Sequence, residues 1–357
     1  MSSKVYFISV TEKDSAEAIQ EKLIRLLEVS EVLGCVTIGD AVAIKIHFGE
    51  EGNTGFVKAE FARVIYDAIL SRGGRSFISD TNTLYRGRRM QSQEHQKLAY
   101  EHGFTPDKVG AEVIIPDDRK KENISLVNIG QQFVKTAKIA SCYHRADVIV
   151  DVSHFKGHMM TGFGGALKNV GMGCATREGK LEQHCDVSPY ILTEKCVGCG
   201  ACVEVCPVKA IALLNTKACI DNSLCIGCAS CIAACTYGVI DVNWESGGNL
   251  IQEKMVEYAY AVLAAKKGKV AFINFATKIT KECDCLAQDD PRIVGDIGIF
   301  ASSDPVSIDQ ACFDAVNKAA GKDIFKKAHP QRDGMKQLRY AATLGLGNLE
   351  YELIEVK

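Results

Sequence analysis

Residues 146–169 read ADVIVDVSHFKGHMMTGFGGALKN, and their pattern sets the architecture. Residues 146–152 read as a strand, with Val148-Ile149-Val150 flanked by Asp147 and Asp151. An unbroken apolar run of this kind fits a strand covered on both faces. The chain then turns polar and glycine-rich, and a helix is expected to open near residues 161–166. Strand, polar loop and helix together form the unit of an α/β sheet.

The same alternation extends outward. Residues 5–10, 41–48 and 76–80 read as strands, and Asp14-Ser-Ala-Glu17 resembles a capping box ahead of Ile19, Leu23, Leu26 and Leu27 at helical spacing. Val57, Phe61, Val64, Ile65, Ala68 and Ile69 mark the next helix, stopped by Gly73-Gly74, and residues 91–102 are helical. Late in the chain, residues 252–266, 307–320 and 332–344 read as helices and 269–275 as a strand. The expected fold is α/β: a mainly parallel sheet with helices on both faces.

Ligands of such sheets sit beyond the carboxyl ends of the strands. Here those ends carry Lys45, His47 and a glycine-rich run, then Asp80 to Arg86, then the opening stretch. In extended chain His154, Lys156 and His158 share a face. Glycines after them allow close backbone approach, a helix N-terminus would offer free N–H groups, and Lys168 lies one turn into that helix. His154, Lys156, His158 and Lys168 are therefore the candidate catalytic residues for a small anionic substrate, with His154 or His158 as general acid. The plainer reading is a polar surface loop or a structural histidine pair. Gly162-Phe-Gly164 starts like a dinucleotide-binding motif, but Leu167 takes the last glycine position. There is no Walker A sequence, and Arg86-Gly-Arg88-Arg89 reads as a phosphate grip or as solvated surface.

Between these α/β stretches stands a different pattern. Cys196, Cys199, Cys202 and Cys206 are spaced C-x2-C-x2-C-x3-C and followed by Pro207; Cys225, Cys228, Cys231 and Cys235 repeat the spacing with Thr236 in place of proline. This is the spacing of bacterial two-cluster ferredoxins, in which three thiolates on a tight loop hold one 4Fe–4S cluster and the fourth cysteine serves the other. One cluster should take Cys196, Cys199, Cys202 and Cys235, and the other Cys225, Cys228, Cys231 and Cys206. Paired zinc knuckles are the competing reading, but zinc has no use for the x3-C-P continuation. Residues 210–213 and 239–242 look like the paired short strands of such a domain, and Cys219, off the motif, reads as a packed thiol. The chain is thus expected to form a discontinuous α/β domain, 1–188 and 246–357, interrupted by a small α+β ferredoxin-like insert at 189–245.

Composition agrees. The 357 residues are 47% hydrophobic with a net charge of −2, which disfavours a basic nucleic-acid binder. The first residues lack a signal-peptide pattern and no apolar run approaches a membrane span, so a cytoplasmic protein is expected. In a reducing compartment sixteen cysteines point to metal or redox chemistry.

The run DVSHFKGHMMTGFGGALKNVGMGC, the later ASSDPVSIDQAC and the two-cluster motif between them resemble the uncharacterised iron–sulfur centre proteins of domain-of-unknown-function family three-six-two. The resemblance covers most of the chain. It implies 4Fe–4S binding and an α/β outer domain, and it supports the discontinuous layout without naming a substrate.

Eight cysteines remain. Cys35, Cys142, Cys174 and Cys312 read as core thiols. Cys283 and Cys285, in ITKECDCLAQDD, present both sulfurs to one point if the segment is extended. With His184 or Cys185 they would suit zinc or another transition metal; they also fit a dithiol that cycles with the clusters, or two ordinary thiols, which the C-x-C spacing favours. The expected function is an iron–sulfur oxidoreductase passing electrons between a soluble partner protein and a small anionic substrate. The alternative is a non-catalytic electron carrier or subunit of a larger redox complex. A nucleic-acid binder with structural clusters is the weakest reading.

Overall fold

A computed structural model describes residues 2–184, 188–242, 250–266 and 268–357. An eight-stranded sheet forms its centre, in the order Tyr351–Glu355, Ser3–Ser9, Gly298–Ser302, Val270–Ala276, Val148–His154, Ala41–Ile46, Arg75–Ser79, Glu112–Ile114. Gly298–Ser302 runs antiparallel to both neighbours, and the other pairings are parallel. The sheet is α/β and mainly parallel, as the alternation of strand and helix predicts.

Side chains alternate between two cores. Val148, Val150 and Val152 join Val42, Ile44 and Ile46 in the core beneath helices Ala16–Ser30 and Ala59–Ser71. Ile149, Ala43 and Phe272 face the other core, with helices Ala166–Gly173, Ile251–Leu263 and Pro305–Ala320. Each fully buried aliphatic or aromatic side chain there contributes about 1.5–3 kcal/mol. Val270–Ala276 lies directly beside Val148–His154, Ile149 opposite Val270, although the cysteine-rich segment separates them in sequence. The first helix is capped by Ser15, which accepts the N–H of Ala18 at 3.2 Å. Asp14, the expected cap, instead accepts the Thr11 N–H at 2.7 Å and pairs with Lys22.

The cysteine-rich segment has its own small core of Cys196, Cys202, Ile211, Cys231, Cys235 and Ile240. Residues 210–213 and 239–242 do not pair with each other. Ile211–Leu214 folds back on Lys217–Ile220, because Asn215 and Thr216 adopt φ of 47° and 63°, the left-handed pair of a tight hairpin. Ile240–Asp241 pairs with Tyr190–Ile191. Cys219 lies on the outer side of the hairpin and is exposed, so it is not a packed thiol. Of the four thiols read as core, Cys174 and Cys312 are buried and Cys35 and Cys142 half-buried. The expected boundary between residues 245 and 246 falls outside the described residues.

Three contacts seat this segment on the strand ends. Leu84 and Leu181 enter its core, Gln91 Nε2 donates to Ala233 O at 2.6 Å, and Arg86 packs on Gly238, where a Cβ would come within 2.7 Å of the guanidinium. Among the described residues no helix is long and apolar enough to cross a membrane.

Candidate functional site

A cavity of about 580 Å³ lies between the strand ends and the cysteine-rich segment. Lys45, His47, Asp80, Tyr85 and Arg86 line it from the second and third strand ends, and Cys235, Gly238 and Asp241 from the cysteine-rich segment. His154, Lys156, His158, Lys168, His184, Cys283 and Cys285 complete the wall, so the fold brings the sequence-predicted pocket residues to one place.

Their roles separate. His154 is buried with both ring nitrogens engaged: Nδ1 lies 2.8 Å from Asp284 Oδ2, and Nε2 2.8 Å from Thr277 O. Neither nitrogen is spare for the general-acid role expected of it. Lys156 donates to His154 O at 2.9 Å and stands 3.3 Å from Asp284. Burial opposes its charge, but Asp284 and the nearby cysteines outweigh burial and raise its pKa. Lys168 is different. Among the described residues it meets no carboxylate, and its Nζ lies 3.8 Å from Cys283 Sγ. Its chain crosses Gly164, where a Cβ would sit 2.9 Å from it, so that glycine serves close approach.

Residues 156–164 form a hairpin, Lys156–His158 against Gly162–Gly164, and the helix starts at Ala166. Its N-terminus is not open to an anion. Asp309 accepts the N–H groups of Ala166 at 2.8 Å and Leu167 at 3.0 Å, and Asn274 donates to the same carboxylate. A side chain brought from residue 309 has taken the place expected for substrate, which sequence spacing could not show.

A buried network supports the opposite wall. Asp80 meets Lys45 at 3.1 Å and His47 at 3.3 Å, with Arg89 and His95 close behind. Arg89 is buried on Glu50 at 3.0 Å and also meets Tyr85, so it is neither solvated surface nor a free phosphate grip. Arg88 pairs with Glu101 near the surface, and Arg86 faces the cavity. Lys180 is held by Thr81 Oγ1 at 2.7 Å and Asn82 O at 2.5 Å, and burial pushes its ammonium down to about 7.

Cys283-Asp284-Cys285 is a turn, closed by Leu286 N–H on Cys283 O at 3.0 Å, and not the extended segment expected. The two sulfurs still converge. Donor atoms of Cys283, Cys285 and His158 all lie within 4.8 Å of one another. The hydrogen bond from Cys285 holds the Cys283 thiol well below its ordinary range against burial, helped by Lys168 and Lys156. The same bond and burial push Cys285 well above. The two thiols therefore titrate as one hydrogen-bonded pair. Burial, then the charges of Lys168 and Lys156, keeps His158 neutral far below its ordinary value. His184, the expected partner, lines the cavity outside that group, and Cys185 lies outside the described residues.

Four of the motif cysteines form a nest. Cys196, Cys199, Cys202 and Cys235 ring a small cavity beside Tyr237 and Ile240, which brings the fourth cysteine of the second run to the first three of the first. Cys196 Sγ accepts the N–H groups of Gly198 and Ala218, each at 3.4 Å. Cys231 is buried near Cys228 and Cys225, and burial with those neighbours raises its thiol to about 12. Cys206 Sγ accepts the N–H of Ala210 at 3.2 Å.

Comparison with known proteins adds a family and little else. No curated protein matches the chain. The lactate racemase apoprotein from Thermoanaerobacterium thermosaccharolyticum is 15% identical, with a TM-score of 0.41, over 76% of this chain and 50% of that one. A structural-genomics protein from Thermotoga maritima is 14% identical, with a TM-score of 0.42, over 86% of this chain and 58% of that one. The chain thus spans about half the length of each, and likeness this low says nothing of its chemistry. The family model described as Domain of unknown function (DUF362) matches residues 42–314, from the second strand of the sheet to the helix that carries Asp309. That match covers more than half of the 357 residues, and the chain belongs to the DUF362 family.

Proposed function

We propose that the chain is an iron–sulfur oxidoreductase, with two 4Fe–4S clusters on its eight motif cysteines and a small anionic substrate in the cavity beside Lys168. One observation carries this reading. Cys235 belongs both to a four-thiol nest and to the wall of the cavity that Lys168 and Lys156 line. The donor set suits the group: four thiols converge, and backbone N–H groups point at Cys196 Sγ and Cys206 Sγ, as they must to stabilise thiolate and sulfide charge. When bound, such clusters supply one-electron transfer, at potentials from about −700 to +450 mV. Lys168 supplies the charge that selects an anion, and Arg86 adds a second cation from the far wall. Asp284 fixes Lys156 and His154, which position the site without touching substrate. The division into an α/β domain and a 189–245 insert belongs to the same reading, since it separates the electron-carrying part from the binding part.

The test is an anaerobic preparation with iron and sulfide counted, where about eight of each per chain are expected. The reduced protein is then mixed with a panel of small carboxylates and phosphate esters. At least one should speed reoxidation, and Lys168→Met should remove that effect with the iron count unchanged. Protein that binds no iron sinks the reading.

A second reading, an electron carrier or redox-complex subunit, has its own support. Val197, Leu214, Leu224, Ile226 and Tyr237 of the cysteine-rich segment are all more than half exposed, and Cys199 is exposed among them. An apolar surface around an accessible cluster ligand suits docking of a partner redox protein. Full iron with no anion response, and a partner co-purifying in fixed ratio, would select it.

A further inference from the structure

We propose that His158, Cys283 and Cys285 form a three-donor site for a thiophilic divalent ion, with its fourth position open to the cavity. This deepens the reading of the same cavity and is independent of the motif cysteines.

The donors are already assembled. All three donor atoms lie within 4.8 Å of one another. Tetrahedral zinc, with bonds of about 2.3 Å to sulfur and about 2.0–2.1 Å to nitrogen, sets its donors about 3.4–3.8 Å apart. Closing by about 1.4 Å at most therefore completes the site.

The backbone holds that arrangement from both sides. The hairpin carrying His158 is bound to the segment carrying the cysteines: Gly157 N–H donates to Thr280 O at 2.9 Å, and a Cβ at Gly157 would meet Lys281 O at 2.2 Å. Only glycine permits that approach. The cysteine turn is fixed by Tyr85 Oη donating to Cys285 O at 2.9 Å and Glu50 N–H donating to Asp284 O at 3.1 Å. Two ordinary thiols need none of this, and a disulfide has no use for the imidazole.

The imidazole reaches the role by a change of tautomer. Its Nδ1 accepts from the N–H groups of Met160 at 3.2 Å and Thr161 at 3.3 Å, which leaves Nε2 as the ligand nitrogen. Nε2 carries the proton of the neutral, metal-free ring and must lose it to bind an ion. The proton then moves to Nδ1, and the Met160 and Thr161 N–H groups turn from it; Thr161 Oγ1, 3.1 Å from Nδ1 and giving its own hydrogen to Phe163 O at 2.7 Å, accepts the new Nδ1–H hydrogen bond. Such outer partners set the tautomer of a ligating histidine.

Three protein ligands and one open position are the form of a catalytic zinc site, where the ion polarises an oxygen of the substrate. Two thiolates, one imidazole and a divalent ion sum to zero charge. An anionic fourth ligand then brings one negative charge, and Lys168, 3.8 Å from Cys283 Sγ, is the cation beside it. The ligand class is a small molecule with a carbonyl or carboxylate oxygen for the ion and an anionic group for Lys168.

The experiment uses the full chain, purified anaerobically and cleared of loose metal by a chelator. Zinc is offered alone in slight excess, the excess is removed, and zinc, iron and sulfide are counted. X-ray absorption at the zinc edge then reports zinc neighbours without interference from iron. One zinc with two sulfurs and one imidazole is expected. Cys283→Ser/Cys285→Ser should lose the zinc and keep the iron, His158→Ala should lose the imidazole signal, and Thr161→Val should bind about 10–100-fold more weakly. No retained zinc in protein with full iron overturns the proposal. So does zinc surrounded by four sulfurs, or zinc indifferent to the double substitution. Zinc on these three residues in a chain that takes up no iron would sink the cluster reading and leave this site standing.

Discussion

His154 Nδ1 lies 2.8 Å from Asp284 Oδ2, a contact between the end of a central strand and the residue that separates Cys283 from Cys285. Both side chains are almost wholly buried, and Lys156 closes the group from 3.3 Å. One carboxylate thus anchors the cysteine turn to the sheet. Removing it leaves Lys156 buried without its counter-ion, a change that costs about 3–5 kcal/mol. Asp284→Ala should lower the unfolding midpoint in a denaturant titration accordingly. Iron on the motif cysteines, which Asp284 does not touch, should stay at the wild-type count.

The two pocket lysines should behave differently. Lys156 is committed to Asp284 and to His154 O, whereas Lys168 meets only a sulfur among the described residues. Lys156→Met should cost about 3–5 kcal/mol of stability, as for any broken buried pair. Lys168→Met should leave the unfolding free energy within about 0.5 kcal/mol of wild type while abolishing anion binding, measured by calorimetry. Equal stability losses in both would remove the distinction drawn between them.

Lys180 gives the protein a pH signature. Burial brings its ammonium down to about 7 from 10.5. Below about pH 7 the group is charged in both folded and unfolded chain, and the full burial penalty weakens the fold. Between about 7 and 10.5 the unfolded chain holds the proton and the folded one does not, so this group's contribution to stability rises with pH. Lys180→Met removes the titration. The stability difference between mutant and wild type should therefore shift in favour of wild type by about 2 kcal/mol from pH 7 to pH 9, somewhat less than two units at about 1.36 kcal/mol each, because the folded group is already half deprotonated at pH 7. Urea titrations of both proteins at the two pH values measure it. An unchanged difference would mean that Lys180 stays charged in the folded state.

How much of this could be read from the chain depends on the range of each interaction. The valines of residues 148–152 announce a covered strand because periodicity is local. The polar strand ends announce a cavity because a parallel sheet gathers its carboxyl ends on one side. What sequence reading missed is brought from afar. Asp309 reaches the helix at Ala166 from 143 residues away, and Asp284 reaches His154 across 130. Nothing in either local pattern marks such a partner. The choice of His158 over His184 as neighbour of the cysteines depends on the hairpin after Lys156, and the extended reading of that stretch had no means of showing it. Asn215 and Thr216 carried a local signal for the tight turn that redirects Ile211–Leu214, and that signal was open to a closer reading of turn chemistry.

The two cysteine runs look alike in sequence but should respond differently to the same change. Gly198 and Gly227 hold equivalent places, two residues after Cys196 and Cys225, and both have φ of +70°. An alanine at either pays the cost of a left-handed conformation, about 1 kcal/mol. Their surroundings differ. A Cβ on Gly198 would lie 2.1 Å from Thr216 O, a backbone atom of the hairpin turn that cannot swing aside. A Cβ on Gly227 finds only Leu181 at 3.5 Å, an ordinary contact. Gly198→Ala should therefore force apart the loop and the hairpin that supplies the Ala218 N–H to Cys196 Sγ, and with them the nest of Cys196, Cys199, Cys202 and Cys235. Iron analysis after anaerobic reconstitution should fall towards half in Gly198→Ala and stay near wild type in Gly227→Ala. An equal loss in both variants would mean that the left-handed turn, and not the packing of Thr216, limits cluster uptake.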